Sequence, residues 1–206
     1  MTPSDIPDPL GKPVKTTTYE DANLYHDWIM GRSVTGIMHL LNKTPIEWFA
    51  KKQATVETAT YGSEFVSARH ATEQVMGIRT TLRYLGVPID GPSMIFGDNG
   101  SVVTNISVPH SQLKKRHHAL SYHYTREAVA SNAIDFRFIW SEINAADILS
   151  KHWAYSNVWT TLQPLLFWSG DTANLLGDSE QTKTESLTNG SYDNNTEPTP
   201  PQPREP

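Results

Sequence analysis

The stretch "YGSEFVSARHATEQVMGIRTTLRYLGVPIDGPSMIFGDNGSV", residues 61–102, places a long amphipathic segment directly before a short apolar one. The apolar segment, residues 93–96, predicts a buried strand, and Asp98 puts a carboxylate at its end. A helix that crosses over to a buried strand favours an α/β architecture. Apolar or small side chains recur in the first segment at the helical spacings of three and four, and Gly86 with Pro88 ends the run: Phe65, Ala68, Thr72, Val75, Ile78, Leu82 and Leu85.

Strand-like runs precede this unit. "TTTYEDANLY" (16–25) has the composition of a strand, which we expect to end near Asp21. "SVTGIMHLL" (33–41) and "PIEWFAK" (45–51) are separated by Asn42 and Lys43, which are turn formers, so they predict a hairpin.

The remaining elements follow residue 102. "HSQLKKRHHALSYHYTREAVASN" (110–132) predicts a helix with a basic start, and "DFRFIW" (135–140) predicts a fifth strand. "NAADILSKHW" (144–153) opens a last helix, for which Asn144 is the expected N-cap. The order β-β-β-α-β-α-β-α predicts an α/β fold with a five-stranded mixed sheet and helices packed on it.

Composition divides the chain into a body and two polar ends. Residues 1–14 contain four prolines, and residues 169–206 are rich in Thr, Asn, Glu and Pro. We therefore expect a flexible linker at 1–14, a folded domain at 15–168 and a disordered acidic tail at 169–206. Seven of the 22 acidic and two of the 17 basic residues lie from Gly170 onward, so the net charge of −5 belongs to the tail.

Several classes of protein are excluded or disfavoured. Cysteine is absent, which excludes disulfide partners, thiolate zinc sites and a cysteine nucleophile. The amino terminus "MTPSDIPDPLGKP" lacks a secretory signal, and no apolar run approaches the ~18 residues of a membrane span. We expect a soluble, intracellular protein without a membrane partner.

Four carboxylates stand at the ends of predicted elements, among small or apolar neighbours: Asp21, Glu64, Asp98 and Asp147. Carboxylates gathered in one cleft repel each other, and divalent cations relieve that repulsion. All-oxygen ligands suit Mg²⁺ or Mn²⁺, and two such ions about 3.5–4 Å apart form a clamp for phosphoryl transfer. Judged from their spacing alone, these four acids could instead be helix caps and surface charges.

Six pieces of the sequence, which together cover roughly residues 15–155, carry a resemblance to a known family. They are "EDANLYHD" (20–27), "GRSVTGIMH" (31–39), "PIEWFAKKQATVETATYGSEFVSA" (45–68), "FGDNGSV" (96–102), "HHALSYHYTREAV" (117–129) and "AADILSKHW" (145–153). In this order they resemble the ribonuclease H domain that ends the polyprotein of Ty1/copia-type retrotransposons.

The resemblance implies a catalytic and metal-binding role for all four carboxylates. The first aspartate of the family's Asp-Ala-Asp motif falls on Asp21, and the glutamate of Glu-Ala-Glu-Tyr falls on Glu64, which Phe65 follows in place of tyrosine. The aspartate of Cys-Asp-Asn falls on Asp98, and that of the late Ala-Asp motif on Asp147. The resemblance also implies a ribonuclease H-like fold and two Mg²⁺ (or Mn²⁺) ions.

The sequence departs from the family in two further places, and from bacterial-type ribonucleases H in one. Asn23 replaces the second aspartate of the first motif, and Gly62–Ser63 replaces part of the acidic helix start. The loop "WSEINAAD" (140–147) lacks the histidine that bacterial-type ribonucleases H carry there, and Glu142 is a candidate to assist in its place. None of these departures removes a ligand.

Substrate contacts are expected from basic and polar residues, because cations and helix N-termini attract phosphates. The alternative to these contacts is that the basic residues form an ordinary solvated turn and that Asn99 only shapes a turn. A zinc site built from the histidines is disfavoured, since no cysteine or nearby carboxylate pattern completes it. The candidates for nucleic-acid binding are Arg32, Lys51, Lys52, Asn99, Lys114, Lys115, Arg116 and His117.

Three functions compete. The first is an Mg²⁺-dependent endonuclease that cuts the RNA strand of RNA–DNA hybrids. The second is a catalytically silent retrotransposon fragment that binds nucleic acid or a polymerase. It is favoured because only 20 residues precede Asp21, where the family has a reverse transcriptase domain, the expected partner. The third, an integrase-type recombinase, fits less well, because that class carries its glutamate on a late helix. The resemblance implies a cytoplasmic location, in a virus-like particle if the element is active, or a nuclear one.

Overall fold

A computed structural model describes residues 11–113 and 116–166. The tail expected at 169–206, most of the linker expected at 1–14, and Lys114 with Lys115 lie outside the described residues. The strands are β1 (Thr16–Asp27), β2 (Arg32–Leu41), β3 (Thr44–Lys52), β4 (Ser93–Gly97) and β5 (Ile134–Phe138). The helices are α1 (Thr60–Tyr84), α2 (Gly100–Ser107), α3 (Ala119–Ala130), α4 (Asp147–Ser150) and α5 (Tyr155–Leu166), with 3-10 turns at Arg116–His118 and Ser141–Ile143.

The five strands form one mixed sheet in the order β3-β2-β1-β4-β5. β1 and β3 run antiparallel to β2, whereas β4 runs parallel to β1 and to β5. The predicted hairpin closes at Asn42, which takes the left-handed conformation (φ 56°) that asparagine tolerates in turns. The predicted α/β fold with a five-stranded mixed sheet is confirmed.

Helices cover both faces of the sheet. Alternate residues of a strand point to opposite faces, so Ile37 packs under α1 while its neighbour Met38 packs towards α4 and α5. The larger cluster also contains Phe65, Ile95 and Phe136, all buried. Because it is covered on both sides, β1 buries successive residues over part of its length.

Three details of the predicted secondary structure were wrong. Asn99 and Gly100 begin a helix, α2, that the sequence pattern did not predict, because the Asn99 side chain accepts hydrogen bonds from Ser101 N and Val102 N and so acts as its N-cap. Arg116–His118, the described part of the basic run, precede α3 instead of opening it, since they form a 3-10 turn. The N-cap of α4 is Ala146, and Asn144 accepts its backbone N–H instead.

β1 continues past Asp21 as far as Asp27. Its pairing with β2 is irregular between Asn23 and Asp27, and Tyr25 there has a positive φ of 54°. Within residues 11–113 and 116–166, no helix is long and apolar enough to cross a membrane.

Candidate metal centre

Asp21, Glu64 and Asp98 come together at one edge of the sheet. One carboxylate oxygen from each lies within 4.8 Å of the other two. The parallel pairing of β1 with β4 explains part of this arrangement, because Tyr19 pairs with Phe96 and both strands carry their aspartates two residues further on. Glu64, the fifth residue of α1, is added from the N-terminal part of that helix.

Helix α4 holds Asp21 from one side of the sheet. Asp21 pairs with Gly36 on β2, and α4 packs over that glycine. The hydroxyl of Ser150 donates a hydrogen bond to Asp21 Oδ2. From the other side, Ser67 Oγ of α1 donates to the Asp21 carbonyl, 3.1 Å away. The carboxylate is thereby fixed in a buried position.

A buried glutamine fixes the start of α1 and with it Glu64. Gln53 Nε2 donates to Thr35 Oγ1 (2.9 Å) and to the Ser63 carbonyl (2.8 Å), which joins β2 to the first turn of α1. Glu64 is buried, and its Oε2 has no hydrogen-bond partner among the described residues. An orphaned buried oxygen is costly unless it takes up a proton or a cation.

Asp98 is the most accessible member of the set. Ser141 Oγ donates to its Oδ2 at 2.7 Å, so the 3-10 turn before α4 supports it. Asn99, which follows it, uses Oδ1 to cap α2. Glu142 lies in the same 3-10 turn as Ser141.

Asp147 joins the site through a lysine. Lys151 Nζ donates to Asp147 Oδ1 one turn away and lies 3.8 Å from Asp21 Oδ2. Trp153 Nε1 donates to the Asp147 carbonyl at 3.1 Å and anchors the end of the turn. Asp147 is not one of the three carboxylates that lie within 4.8 Å of one another, but the Lys151 ammonium group links it to Asp21 and partly balances the charge of both.

The pKa values reflect crowding of like charges in a buried place. Burial, followed by the charges of Asp98 and Asp147, raises the pKa of Asp21 to about 6, against the lowering effects of Ser150 and Lys151. Burial and the charges of Glu20, Asp21 and Asp98 raise the pKa of Glu64 well above its usual value. Burial opposes the charged form of Lys151, yet the Asp147 hydrogen bond and nearby carboxylates raise its pKa overall.

Glu20 is a fifth carboxylate that the sequence analysis missed. It is 1% exposed on β1, and burial is the main cause that raises its pKa well above the usual value. Its Oε2 has no hydrogen-bond partner among the described residues. The sequence carries no signal for it, because strand alternation predicts that a residue next to the buried Asp21 is exposed.

Apart from Asn99, the described candidates for nucleic-acid binding fall into two groups. Lys51 and Lys52 lie two strands from Ala22 and Asn23, in register through β2, and Lys52 Nζ pairs with Asp27 Oδ2 at 2.9 Å. Arg32, which starts β2, pairs with Asp27 in the sheet. The second group, Arg116 and His117, is exposed in the 3-10 turn before α3.

The residues present fit a hard divalent cation. Every candidate ligand is a carboxylate oxygen, the donor that Mg²⁺ and Mn²⁺ prefer. Glu64 Oε2 has no hydrogen-bond partner among the described residues, and the pKa values of Asp21 and Glu64 are raised. Both observations are explained by carboxylates that are arranged around the position of a cation.

No protein-family model matches the sequence. Among curated proteins, the chain is 28% identical over 141 residues to the retrovirus-related Pol polyprotein from transposon RE2 of Arabidopsis thaliana. It is 27% identical to that from transposon RE1 of the same plant and 26% identical to that from transposon TNT 1-94 of Nicotiana tabacum. The matches cover 65–68% of the chain but only 10% of each polyprotein.

Solved structures show the same fold. LC11-RNase H1 in complex with an RNA/DNA hybrid matches 66% of the chain and 93% of its own length, with a TM-score of 0.51 and 16% identity. The N-terminal RNase H domain of a Mycobacterium tuberculosis protein matches 73% of the chain and 97% of its own length, with a TM-score of 0.51 and 13% identity. The chain is a homologue of retrotransposon Pol polyproteins and has a ribonuclease H-like fold.

Proposed function

We propose that the chain is the ribonuclease H of a Ty1/copia-type element, an Mg²⁺-dependent endonuclease that hydrolyses the RNA strand of RNA–DNA hybrids. The observation that carries the proposal is the convergence of Asp21, Glu64 and Asp98 within 4.8 Å, on a ribonuclease H-like fold. These carboxylates lie close together, the pKa values of Asp21 and Glu64 are raised, and Glu64 Oε2 has no hydrogen-bond partner among the described residues. Such a group suits a cation-binding site better than a set of helix caps.

Asp21, Glu64 and Asp98 are the proposed ligands of two Mg²⁺ or Mn²⁺ ions, and Asp147 joins them from α4. Bound ions of this kind supply an activated water and stabilise the leaving oxygen. The chain's own contribution is positioning. Ser150 and Ser67 fix Asp21, Gln53 fixes the start of α1, and Ser141 orients Asp98. Hydrolysis leaves a 3′-hydroxyl and a 5′-phosphate.

The proposed substrate is an RNA–DNA hybrid, the molecule bound in the LC11-RNase H1 structure. Arg32, Lys51 and Lys52 are proposed to contact its backbone. Arg32 lies opposite Asp27 on the strand next to β1, and the two lysines lie about two strand spacings, roughly 10 Å, from Ala22 and Asn23, which follow Asp21. The reverse transcriptase of the same element is the proposed source of hybrid, in a cytoplasmic virus-like particle or the nucleus.

The test is cleavage of an end-labelled hybrid by the purified full chain, with Mg²⁺, Mn²⁺ or EDTA. We expect metal-dependent cuts in the RNA strand and none in duplex DNA. Asp98→Asn, a change at a partly exposed position, should abolish cleavage, and circular dichroism should show an intact fold. Asp135→Asn, which removes an exposed carboxylate of β5, is the matched control and should retain cleavage.

A fully active Asp98→Asn protein would contradict the proposal. Hybrid binding by the wild-type protein without cleavage in either metal would favour the silent binding module instead.

A further inference from the structure

A second cluster of ligating side chains lies away from the four carboxylates, between the loop before α1 and the 3-10 turn before α3. We propose that Glu57, His117 and His118 bind a transition-metal ion of the zinc class. The proposal does not depend on the nuclease activity. It overturns the expectation that no carboxylate is available to the histidines, because Glu57 lies about 60 positions earlier in sequence but reaches both rings.

The spacing of the ligand atoms suits a tetrahedral ion. Glu57 Oε2 lies 3.3 Å from His118 Nε2 and 3.5 Å from His117 Nε2, and the three ligand atoms lie within 4.8 Å of one another. Zinc bonds of about 2.0–2.1 Å at tetrahedral angles place ligand atoms roughly 3.3–3.5 Å apart. A charge-assisted N–H···O bond would instead be about 2.7–2.9 Å long.

The burial of the cluster suits a held ion. The side chains of Glu57 and His118 are 3% and 5% exposed, whereas that of His117 is 61% exposed. The two rings lie 4.1 Å apart between centroids and present Nε2 to the same carboxylate oxygen. Two imidazoles facing one buried oxygen at nearly equal distances indicate a shared positive centre.

The donor chemistry separates this cluster from the carboxylate centre. Two imidazoles and one carboxylate favour Zn²⁺ and its neighbours in the transition series, whereas Mg²⁺ prefers oxygen alone. Three protein ligands leave a fourth position for water.

The location gives the bound ion a structural consequence. The His118 ring packs 5.6 Å from that of Phe65, which directly follows Glu64 on α1. The first turn of α1 has no side-chain N-cap. An ion bound to Glu57 and the two histidines links the segment before α1 to the 3-10 turn Arg116–His118. It therefore stabilises the folded chain by mass action.

The experiment is calorimetric titration of the metal-free full chain with Zn²⁺ in excess Mg²⁺, which competes for the carboxylate centre. We expect one zinc ion per chain, and Co²⁺ in its place should give the visible absorption of a tetrahedral site. Glu57→Gln and His118→Asn should each weaken Zn²⁺ binding at least tenfold. His117→Asn should do the same, and its exposed position keeps the test valid if the buried variants fail to fold.

Matched controls are His110→Asn and His123→Asn, which remove exposed histidines outside the cluster and should leave Zn²⁺ affinity unchanged. Absence of Zn²⁺ binding by the wild-type chain would overturn the proposal, as would equal affinity in His117→Asn. Loss of the zinc ion on Asp98→Asn would also overturn it, by assigning the ion to the carboxylate centre. None of these results depends on cleavage.

Discussion

Gly36 lies opposite Asp21 in the β1–β2 pair, and the backbone of α4 occupies the space where a side chain at position 36 would be. A Cβ there would lie 2.7 Å from the Ala146 carbonyl and 2.9 Å from Ser150 N. The missing side chain lets α4 approach closely enough for Ser150 and Lys151 to reach Asp21. The position of a candidate ligand thus depends on a glycine of the neighbouring strand.

The first prediction concerns this close approach. Gly36→Ala should lower the free energy of unfolding by about 1–3 kcal/mol, because backbone atoms of α4 must move away. It should also reduce hybrid cleavage, since Ser150 and Lys151 move with them. Urea denaturation measures the first effect and the labelled-hybrid assay the second.

Gly77 on α1 provides the control, because a Cβ there meets nothing within 4 Å. Gly77→Ala should raise the free energy of unfolding by about 0.5–1 kcal/mol, as expected for an exposed helical glycine. Equal stabilities of the two variants would show that α4 does not depend on Gly36.

The second prediction concerns Lys151. Lys151→Gln should destabilise the metal-free protein by about 1–3 kcal/mol, because a charged hydrogen bond to Asp147 is lost and Asp21 loses a nearby cation. The same change should increase the stabilisation that Mg²⁺ provides, since a competing positive charge is removed. Thermal melting with and without Mg²⁺ measures both.

The exposed pair Arg69–Glu73 on α1 supplies the comparison. Arg69→Gln should change stability by no more than about 0.5 kcal/mol and should leave the Mg²⁺ effect unaltered. A Lys151→Gln protein as stable as wild type, with no greater response to Mg²⁺, would contradict the role given to this ammonium group.

Several features of the site could be predicted because they depend on sequence neighbours. Asp98 follows an apolar strand and Glu64 opens an amphipathic helix, so their places at element ends were visible. Glu20 was not, because alternation implies that neighbours of a buried residue are exposed, whereas β1 is covered on both faces and buries Glu20 and Asp21 together.

Contacts between distant parts of the chain could not be predicted from the sequence, for a different reason. Glu57 and His118 are about 60 positions apart, and no period or motif connects them; only the packing of α1 against α3 brings them together. Helix α2 was missed because Asn99 and Gly100 suit a turn and a helix start equally well.

The third prediction is a pH dependence of the metal-free protein. The pKa of Asp21 is about 6 in the folded state against 3.8 as its ordinary value, so the folded state holds a proton that the unfolded state has released. The free energy of unfolding should therefore fall as pH rises from about 4 to 6, by up to about 3 kcal/mol, and Asp21 should add no further change above that range.

Denaturation of the EDTA-treated protein at a series of pH values measures this slope. Asp21→Asn should flatten it, whereas Asp135→Asn, at an exposed site on β5, should not. Mg²⁺ should stabilise the wild-type protein more at pH 8 than at pH 5, because the ligands must be deprotonated. If the free energy of unfolding of the EDTA-treated protein instead rose between pH 4 and 6, the proposed effect of crowded, buried carboxylates on the pKa of Asp21 would be contradicted.

The fourth prediction concerns Glu20, whose carboxyl oxygen contacts the position that a side chain at Gly97 would fill. Burial raises the pKa of Glu20 and so favours its neutral form, which glutamine matches in shape. Glu20→Gln should preserve stability at acid pH and increase it relative to the wild type as pH rises through the raised pKa of Glu20, where the buried carboxyl group would otherwise ionise. Glu20→Ala should destabilise the protein by about 2 kcal/mol or more, since it leaves a cavity beside Gly97. Denaturation of both variants over a series of pH values separates the effect of charge from that of volume. Equal loss of stability in the two would show that Glu20 is required in its ionised form.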